Sequence, residues 1–283
     1  MILVTGATGN FGSAAVAAAQ AANVKFRALA HSAEKAEALR QRGIDVAVGD
    51  MARPESLAEA LRGISALFLS SPLSPALADV ETATLRAARE AGVKRVVKIS
   101  SFTIGTNFQG GLTSVHATAE AALRESGLEW TVLRPTPTMG SPLLFGYIHE
   151  GVLYAPCADV TAAYCAPADV GKLGLRILDQ GGHAGKVYSV TGPEALDLSL
   201  VAAIVAAEVG RPLRYQPTSD ADYSRRTDAA GIPKSVSDLS IGFFQRVRTG
   251  PYTEVLRTVE LLLGRAGTSY RDWARVNAAR WIR

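Results

Sequence analysis

The chain has 283 residues, of which 48% are hydrophobic, and its 30 Lys and Arg residues against 26 Asp and Glu give a net charge of +4. That length supports a large buried core and exceeds the usual size of a single domain only modestly, so we expect one two-lobed unit. The basic residues are scattered and no uncharged apolar run is long enough to span a membrane, so we expect neither a nucleic-acid partner nor a membrane protein.

Short apolar runs alternate with helical stretches through the first half of the chain. Six runs are predicted strands: Ile2–Val4, Lys25–Leu29, Asp45–Val48, Ala66–Leu69, Arg95–Ile99 and Trp130–Leu133. The predicted helices between them are Ser13–Ala22, Ala33–Gln41, Pro54–Leu61, Ala76–Ala91 and Ser114–Glu125, and four of these are followed by glycines suited to a helix C′ position, Gly43, Gly63, Gly92 and Gly127. This alternation is typical of an α/β fold, a doubly wound parallel Rossmann sheet.

The alternation ends after residue 135. The segment Thr136–Pro156 is rich in Pro, Gly, Met and aromatic residues, which suits a loop with small elements over a substrate site. A predicted helix, Ala168–Leu178, and a predicted strand, Lys186–Val190, then return the chain to the edge of the main sheet. We expect a dinucleotide-binding lobe over residues 1–135, completed by about 166–191, and a smaller, mostly helical, discontinuous substrate-binding lobe within 136–283.

The first predicted strand runs directly into a glycine turn, Gly6-Ala-Thr-Gly-Asn-Phe-Gly12. In such a turn the first glycine permits a tight bend, the second lets backbone amides approach a pyrophosphate, and the third lets the helix pack on the strand. The following helix presents free N–H groups to the phosphates. An ordinary turn is the alternative, but the strand–turn–helix context predicts a nicotinamide dinucleotide held by Gly6, Thr8, Gly9, Asn10, Phe11 and Gly12.

The end of the second predicted strand bears on the choice of cofactor. It lacks the acidic residue that would bind the ribose 2′-hydroxyl of NAD, and it carries Arg27, His31 and Lys35 instead. We therefore expect NADP(H) in preference to NAD(H), with His31 and Lys35 near the 2′-phosphate. The alternative is that Arg27 points away and selectivity is weak. Asp50, after the third strand, is placed to accept from the adenine amino group or to act as a cap.

The chain resembles the NmrA-like branch of the atypical short-chain dehydrogenase/reductase superfamily. The matching segments are Val4–Gly12, Gly49-Asp50, Phe68–Pro72, Val96–Ser101, Ser126–Pro135, Val190–Pro193 and Ser269–Trp273. That family includes NAD(P)H quinone reductases, dye reductases and non-catalytic redox-sensing regulators. The resemblance implies that Ser70, Ser71 and Pro72 line the nicotinamide ribose side of the cleft.

The catalytic helix departs from the superfamily's pattern. Where Tyr-x-x-x-Lys is usual, this chain has His116 and Glu120, one helical turn apart on the same face. The carboxylate would raise the pKa of His116 and make it a proton donor near neutral pH. An orienting salt bridge or a solvated face is the alternative. Of the two serines that end the fifth strand, Ser101 is our choice to orient a carbonyl oxygen, because alternation lets only one point inward.

Without Tyr-x-x-x-Lys, we expect an NAD(P)H-dependent oxidoreductase that transfers hydride to a quinone-like or other conjugated small-molecule acceptor, which needs little acid help. Candidate acceptor contacts, held between the lobes, are Thr138, Met139, Phe145 and Tyr147, whose aromatic rings would stack on a flat molecule. Ordinary packing is the alternative reading of each. Many relatives have an acidic residue and an Asn near Gly140-Ser141, and the absence of that pair puts their substrate contacts in doubt.

Two other functions stay open on the sequence. One is a non-catalytic NADP(H)-binding redox sensor of the NmrA type that docks a protein, and the other is a biosynthetic imine or enone reductase. The apolar segment Val255–Leu263 leaves a homodimer open. The only cysteines, Cys157 and Cys165, have no Cys-x-x-Cys spacing and no nearby His pair, so we expect no metal site and a cytoplasmic location.

Overall fold

The computed structural model describes residues 1–103 and 111–281. In chain order its strands are β1 (Ile2–Val4), β2 (Phe26–Ala30), β3 (Val46–Val48), β4 (Ala66–Leu69), β5 (Arg95–Ile99), β6 (Glu129–Pro135), β7 (Tyr147–His149), β8 (Val152–Ala155), β9 (Lys186–Val190) and β10 (Arg214–Pro217). Its helices are α1 (Asn10–Ala21), α2 (Ala33–Arg40), α3 (Ala58–Leu61), α4 (Leu77–Glu90), α5 (Gly111–Glu125), α6 (Ser141–Phe145), α7 (Pro167–Gln180), α8 (Leu198–Val209), α9 (Asp220–Ala229), α10 (Lys234–Thr249), α11 (Thr258–Leu263) and α12 (Tyr270–Asn277). Two 3₁₀ turns, Pro54–Leu57 and Ala278–Trp281, complete the described elements.

Seven strands form one parallel sheet in the order β3-β2-β1-β4-β5-β6-β9. The predicted doubly wound Rossmann fold is confirmed, including the return of Lys186–Val190 to the sheet edge. The glycines predicted to end helices have φ values of +73° to +85°. Helix α1 begins at Asn10, three residues before the predicted start, because the turn glycine Gly12 lies inside the helix, where the low helix propensity of glycine hides it.

Helices cover both faces of the large sheet, and the alternation of β4 shows how. Leu67 and Leu69 point into a buried cluster that includes Leu85 of α4. Phe68, between them, faces α7, where a Cβ added to Gly174 would lie 2.4 Å from the Phe68 ring. Burial on both faces explains why these strands are continuously apolar in sequence.

The chain divides into two compact units. The first comprises Met1–Pro135 and Pro167–Val190, and the second comprises Thr136–Ala166 and Thr191–Arg283. Within the second, β8 pairs in parallel with β10 and antiparallel with β7. These three short strands were not predicted, because the polar residues of Tyr147–His149 and Arg214–Pro217 interrupt the continuous apolar pattern that identified the strands of the large sheet.

The longer helices of the second unit have clear local signals. The side chain of Asp197 caps α8 by accepting a hydrogen bond from the Leu200 amide at 2.8 Å. At the other end Gly210 takes a left-handed conformation, with φ +69°. Across the described ranges, 1–103 and 111–281, no helix is long and apolar enough to cross a membrane.

Candidate active site

The glycine turn after β1 is closed by the protein's own backbone. Gly6 has φ +60°, and a Cβ on it would lie 2.7 Å from the Ser70 carbonyl oxygen. A Cβ on Gly12 would lie only 2.1 Å from the Gly6 carbonyl oxygen. Gly9 is different, because a Cβ there would meet only the Gly6 oxygen, at 3.3 Å, and would otherwise project into open space. Gly6 and Gly12 are therefore needed by the fold, whereas Gly9 keeps the outer surface of the turn open.

The amino end of α1 fits an anionic group. Its N-cap is Gly9, which offers no side-chain hydrogen bond, and its first turn contains no acidic residue. By contrast α2, α8, α9 and α12 are all capped by side chains, those of Ser32, Asp197, Ser219 and Ser269. The amides and positive dipole end of α1 are thus left for a ligand, as a dinucleotide pyrophosphate requires. Thr8, Gly9 and Asn10 are exposed here and Phe11 is half-buried.

The loop after β4 is fastened to this turn by a residue that the sequence analysis missed. Thr5, fully buried at the end of β1, accepts a hydrogen bond from the Ser70 amide and donates one to the Ser70 carbonyl, both at 2.9 Å. Strands β1 and β4 are neighbours at the point where the strand order reverses, which is where ligands bind in sheets of this type. A buried polar residue directly before the glycine turn is the signal that could have identified Thr5.

The residues expected at the cofactor's 2′-phosphate lie after β2. His31 and Lys35 are both exposed. Arg27 is occupied elsewhere, because its Nε lies 3.1 Å from Asp45 Oδ2 and its Nη1 donates to the carbonyls of Glu59, Ala60 and Arg62. The alternative reading of Arg27, that it points away from the cofactor, therefore describes the structure.

Asp50 caps the turn that follows β3. Its Oδ1 accepts from the Ala52 amide at 2.9 Å, and its Oδ2 from Arg53 Nε at 3.2 Å. The Ala52 amide, with help from Arg53, lowers the pKa of Asp50. The side chain remains partly exposed and ionised, so the capping role leaves room for a further donor.

A buried polar chain starts at the loop after β4 and ends at His116. The Ser71 hydroxyl donates to Glu81 Oε1 at 2.7 Å, and Glu81 Oε2 forms an ion pair with Lys98 Nζ at 2.5 Å. Lys98 Nζ lies 3.5 Å from His116 Nδ1. Both Lys98 and Glu81 are completely buried. This link was not predicted, because Glu81 on α4 and Lys98 on β5 share no sequence motif. Pro72, next in the loop, is exposed.

The expectation that His116 has a raised pKa was wrong. Burial, and then the positive charge of Lys98, lowers the pKa of His116 to about 3, and Glu120 opposes this only weakly. The imidazole is therefore neutral at physiological pH. It can donate a hydrogen bond, but it is not the imidazolium acid that the i, i+4 spacing indicated.

Glu120 turns to arginines instead of to His116. Arg134 Nε and Nη2 reach its two oxygens at 3.0 and 2.7 Å, Arg124 Nη2 lies at 2.7 Å, and the Ser100 hydroxyl donates at 2.7 Å. Burial raises the pKa of Glu120, but the hydrogen bonds from Arg134 and Ser100 outweigh it and the net shift is downward. Glu120 is thus held by ion pairs with Arg134 and Arg124, and no salt bridge with His116 is formed between these two described residues.

The two serines after β5 face different partners, as alternation predicts. Ser100 is buried and donates to Glu120, whereas Ser101 is half-buried with its hydroxyl 2.9 Å from that of Thr103. Residues 104–110 lie outside the described part of the chain.

The candidate acceptor contacts belong to the second unit. Thr138 and Met139 are buried, and the Met139 carbonyl accepts from the Tyr270 hydroxyl at 2.7 Å, so the backbone of this segment is fixed. Phe145 stacks on Phe243 with ring centroids 4.4 Å apart, and Tyr147 stacks on Tyr154 at 6.0 Å. Phe145 and Tyr147 remain half-buried and offer aromatic faces, which Met139 does not.

Comparisons with known proteins agree with this geometry. The family model described as NAD(P)H-binding matches residues 6–179. The chain is 30% identical to an NAD(P)H azoreductase of Xenophilus azovorans over 99% of this chain and 98% of that one. It is 34% identical to a (4-alkanoyl-5-oxo-2,5-dihydrofuran-3-yl)methyl phosphate reductase of Streptomyces griseus subsp. griseus, with 98% of each chain covered. Its structure superposes on the NADPH complex of an NADPH-dependent quinone oxidoreductase of Escherichia coli with a TM-score of 0.83 and 27% identity, over 97% of this chain and 98% of that one.

Proposed function

The chain belongs to the NAD(P)H-binding family, and on that premise we propose that it is an NAD(P)H-dependent reductase of conjugated, electron-poor small molecules, quinone-like compounds first among them. The observation that carries the proposal is the uncapped α1 amino end behind an open glycine turn, beside a buried network in which His116 is a neutral imidazole and not an imidazolium acid. Bound NAD(P)H supplies the hydride.

The residues that would hold the dinucleotide are those of the turn and of the loop after β4. Gly9 and the first amides of α1 receive the phosphates, and Thr5 holds the Ser70 loop against the turn. Asp50 keeps an ionised carboxylate for the adenine side. We assign acceptor contacts to the second unit, to the half-buried aromatic residues Phe145 and Tyr147.

The choice of acceptor follows from the state of His116. Because its imidazole is neutral, His116 is not a strong acid that could protonate a simple alkoxide as it forms. A quinone, an azo group or a conjugated enone spreads the incoming charge over several atoms and takes its proton from water afterwards. A neutral N–H donor is sufficient to stabilise such an anion, so the structure favours conjugated acceptors over simple ketones and alcohols.

We propose NADPH as the better donor. His31 and Lys35 are exposed after β2, and the strand runs directly into His31 and Ser32 where an acidic residue would repel a 2′-phosphate. A cation paired with phosphate contributes more than one paired with a neutral hydroxyl. A preference for NADPH over NADH is the expected result.

A second acceptor class is favoured by one comparison. The reductase from Streptomyces griseus, 34% identical, is named for a dihydrofuranone that carries an alkanoyl group. We therefore place conjugated unsaturated lactones beside quinones and azo dyes as candidate substrates.

The experiment is NADPH oxidation by the purified protein against a panel of quinones, azo dyes and unsaturated lactones, with simple ketones and secondary alcohols as controls. We expect turnover with at least one conjugated class and none with the alcohols under NADP⁺. Tight NADPH binding without turnover of any acceptor would contradict the proposal and would favour a redox sensor.

A further inference from the structure

We propose that Lys98 and Glu81 are positioning residues that hold His116 as a neutral imidazole with its proton on Nε2. The chain of contacts from Ser71 through Glu81 and Lys98 to His116 is the basis of this inference. The use of the Nε2 proton in catalysis rests on the proposed function, whereas the tautomer itself follows from the geometry of the first unit.

Three atoms that can accept a hydrogen bond surround the Lys98 ammonium. Glu81 Oε2 lies 2.5 Å from Nζ, the Ile99 carbonyl oxygen at 3.2 Å and His116 Nδ1 at 3.5 Å. An ammonium group has three N–H donors and no acceptor. Each of its three neighbours must therefore present a lone pair, which assigns the contact with His116 as Nζ–H to Nδ1.

The tautomer of His116 follows directly. A neutral imidazole has one N–H and one lone pair, and if Nδ1 accepts from Lys98, the proton is on Nε2. Among the residues that the structure describes, none forms a hydrogen bond with Nε2. The same positive charge disfavours a second proton on the ring.

Glu81 balances the Lys98 charge at a completely buried position. Both partners of the ion pair are completely buried, and an unpaired ammonium there would lose its proton. A neutral amine could accept a proton from Nδ1–H, and the tautomer would then no longer be defined. Burial raises the pKa of Glu81, and the Lys98 charge and the Ser71 hydroxyl oppose that shift. Ser71 thereby connects the loop after β4 with the state of His116.

The groups that face His116 come from three elements. Lys98 of β5 contacts it directly, Glu81 of α4 stands behind Lys98, and Glu120 is one turn further along α5. Because Glu120 is neutralised by Arg134 and Arg124, the Lys98 charge dominates. We therefore expect the His116 imidazole to stay neutral and in a single tautomer over the whole pH range in which the protein is folded.

The test is the proton–nitrogen correlation spectrum of the full chain labelled with heavy nitrogen in its four histidines, recorded without cofactor over a pH series. The His116→Gln variant assigns the His116 signals by their absence. We expect one tautomer, with the proton on Nε2, and no titration near the ordinary histidine pKa. A His116 that titrates normally, or carries its proton on Nδ1, would overturn the inference.

Variants then ask whether Lys98 and Glu81 are the cause. In Lys98→Met we expect His116 to show mixed tautomers and a higher pKa. Glu81→Gln should raise the pKa of His116 as well, but by less. Lys172→Met is the matched control, because Lys172 is an exposed residue of α7, and it should leave the spectrum unchanged. An unchanged spectrum in Lys98→Met would also overturn the inference.

Folding of these variants does not limit the test. If Lys98→Met does not fold, the milder variant Ser71→Ala is used instead. Ser71→Ala removes one hydrogen bond from Glu81 and leaves the ion pair with Lys98 in place. An unaltered His116 pKa in Ser71→Ala would count against the network. In an active enzyme, Lys98→Met should lower kcat about tenfold, and less than about twofold when His116 is already Ala, as expected for coupled residues.

The spectrum separates this inference from the proposed function. A defined Nε2–H tautomer with no turnover of any acceptor would leave the positioning network intact and refute the reductase. Turnover of an acceptor by a protein in which His116 titrates normally would support the reductase and refute the positioning network.

Discussion

Glu120 and Arg134 form a two-point ion pair, with Nε and Nη2 of the arginine 3.0 and 2.7 Å from the two oxygens of the buried carboxylate. The helix α5 and the strand β6 are thus joined at the level of the candidate site. This pair, and not a contact with His116, explains the position of Glu120.

Glu120→Gln should therefore be strongly destabilising. The amide keeps the size of the side chain but leaves Arg134 without its counter-charge in a partly buried site, at a cost of about 3 kcal/mol in the free energy of unfolding. Urea denaturation measures it. Glu59→Gln, which removes a pair with Arg62 in which both side chains are largely exposed, is the control and should change stability by less than about 0.5 kcal/mol. Equal effects would contradict the structure.

The same pair predicts how stability depends on pH. The folded pKa of Glu120 is lowered, so its contribution is complete above the ordinary carboxyl pKa and is lost as the pH falls through the lowered value. The difference in unfolding free energy between wild type and Glu120→Gln should be constant at neutral pH and shrink in acid. A difference that grew as the pH fell would show that the carboxylate is not stabilised in the fold.

Gly9→Ala should weaken dinucleotide binding without unfolding the protein. Gly9 has a negative φ and room for a Cβ, except for the Gly6 oxygen at 3.3 Å, but the methyl group would occupy the approach to the α1 amides. We expect the Kd for NADPH to rise at least about tenfold. Gly242→Ala in α10 is the matched control, since its Cβ would meet only Arg246 Nη1 at 3.9 Å. Calorimetric titration compares them, and unaltered binding in Gly9→Ala would argue against the turn as the phosphate site.

Lys35→Ala and His31→Ala should reduce the preference for NADPH. Loss of a hydrogen-bonding partner of the 2′-phosphate should raise the NADPH Kd, by about tenfold for Lys35, and leave the NADH Kd nearly unchanged. Lys25→Ala is the control, because Lys25 is exposed and precedes β2, at the opposite end of that strand. Equal weakening of NADPH and NADH binding would mean that these residues do not contact the 2′-phosphate.

His116→Ala should lower kcat by about tenfold to a hundredfold, the range for removal of one donor to a developing anion, with the NADPH Kd preserved. Since the pKa of His116 is about 3, the wild-type rate should not vary with pH between about pH 5 and about pH 9 through this residue. The control is His183→Ala, because His183 Nδ1 is hydrogen-bonded to the Tyr188 hydroxyl. This variant should have the same kcat as the wild type. Unchanged turnover in His116→Ala would remove the residue from the mechanism.

Local patterns in the sequence predicted most of the first unit. Strands β1, β4, β5 and β9 have the predicted boundaries, because each is a continuous apolar or β-rich run bounded by helix signals. The glycine turn was recognisable for the same reason. Thr5 was missed although it is adjacent to that turn, because its hydrogen bonds reach 65 residues along the chain.

The chemistry of His116 could not be predicted from its helix. The spacing to Glu120 is correct, but the partners of both residues come from strands, Lys98 from β5 and Arg134 from β6. Which charge dominates depends on burial and on contacts between elements that no helical spacing encodes. The predicted sign of the pKa shift was wrong for that reason.

A single-turnover experiment shows whether hydride passes from NADPH to a conjugated acceptor. NADPH carrying deuterium at either of the two hydrogens of the reactive nicotinamide carbon is mixed with the protein and a quinone, and NADPH oxidation is followed together with quinone reduction. We expect both to proceed at one rate, slowed by deuterium at one of the two positions only, with the label transferred from the nicotinamide. If bound NADPH is not oxidised, or is oxidised without reduction of the quinone, the protein does not transfer hydride to this class of acceptor.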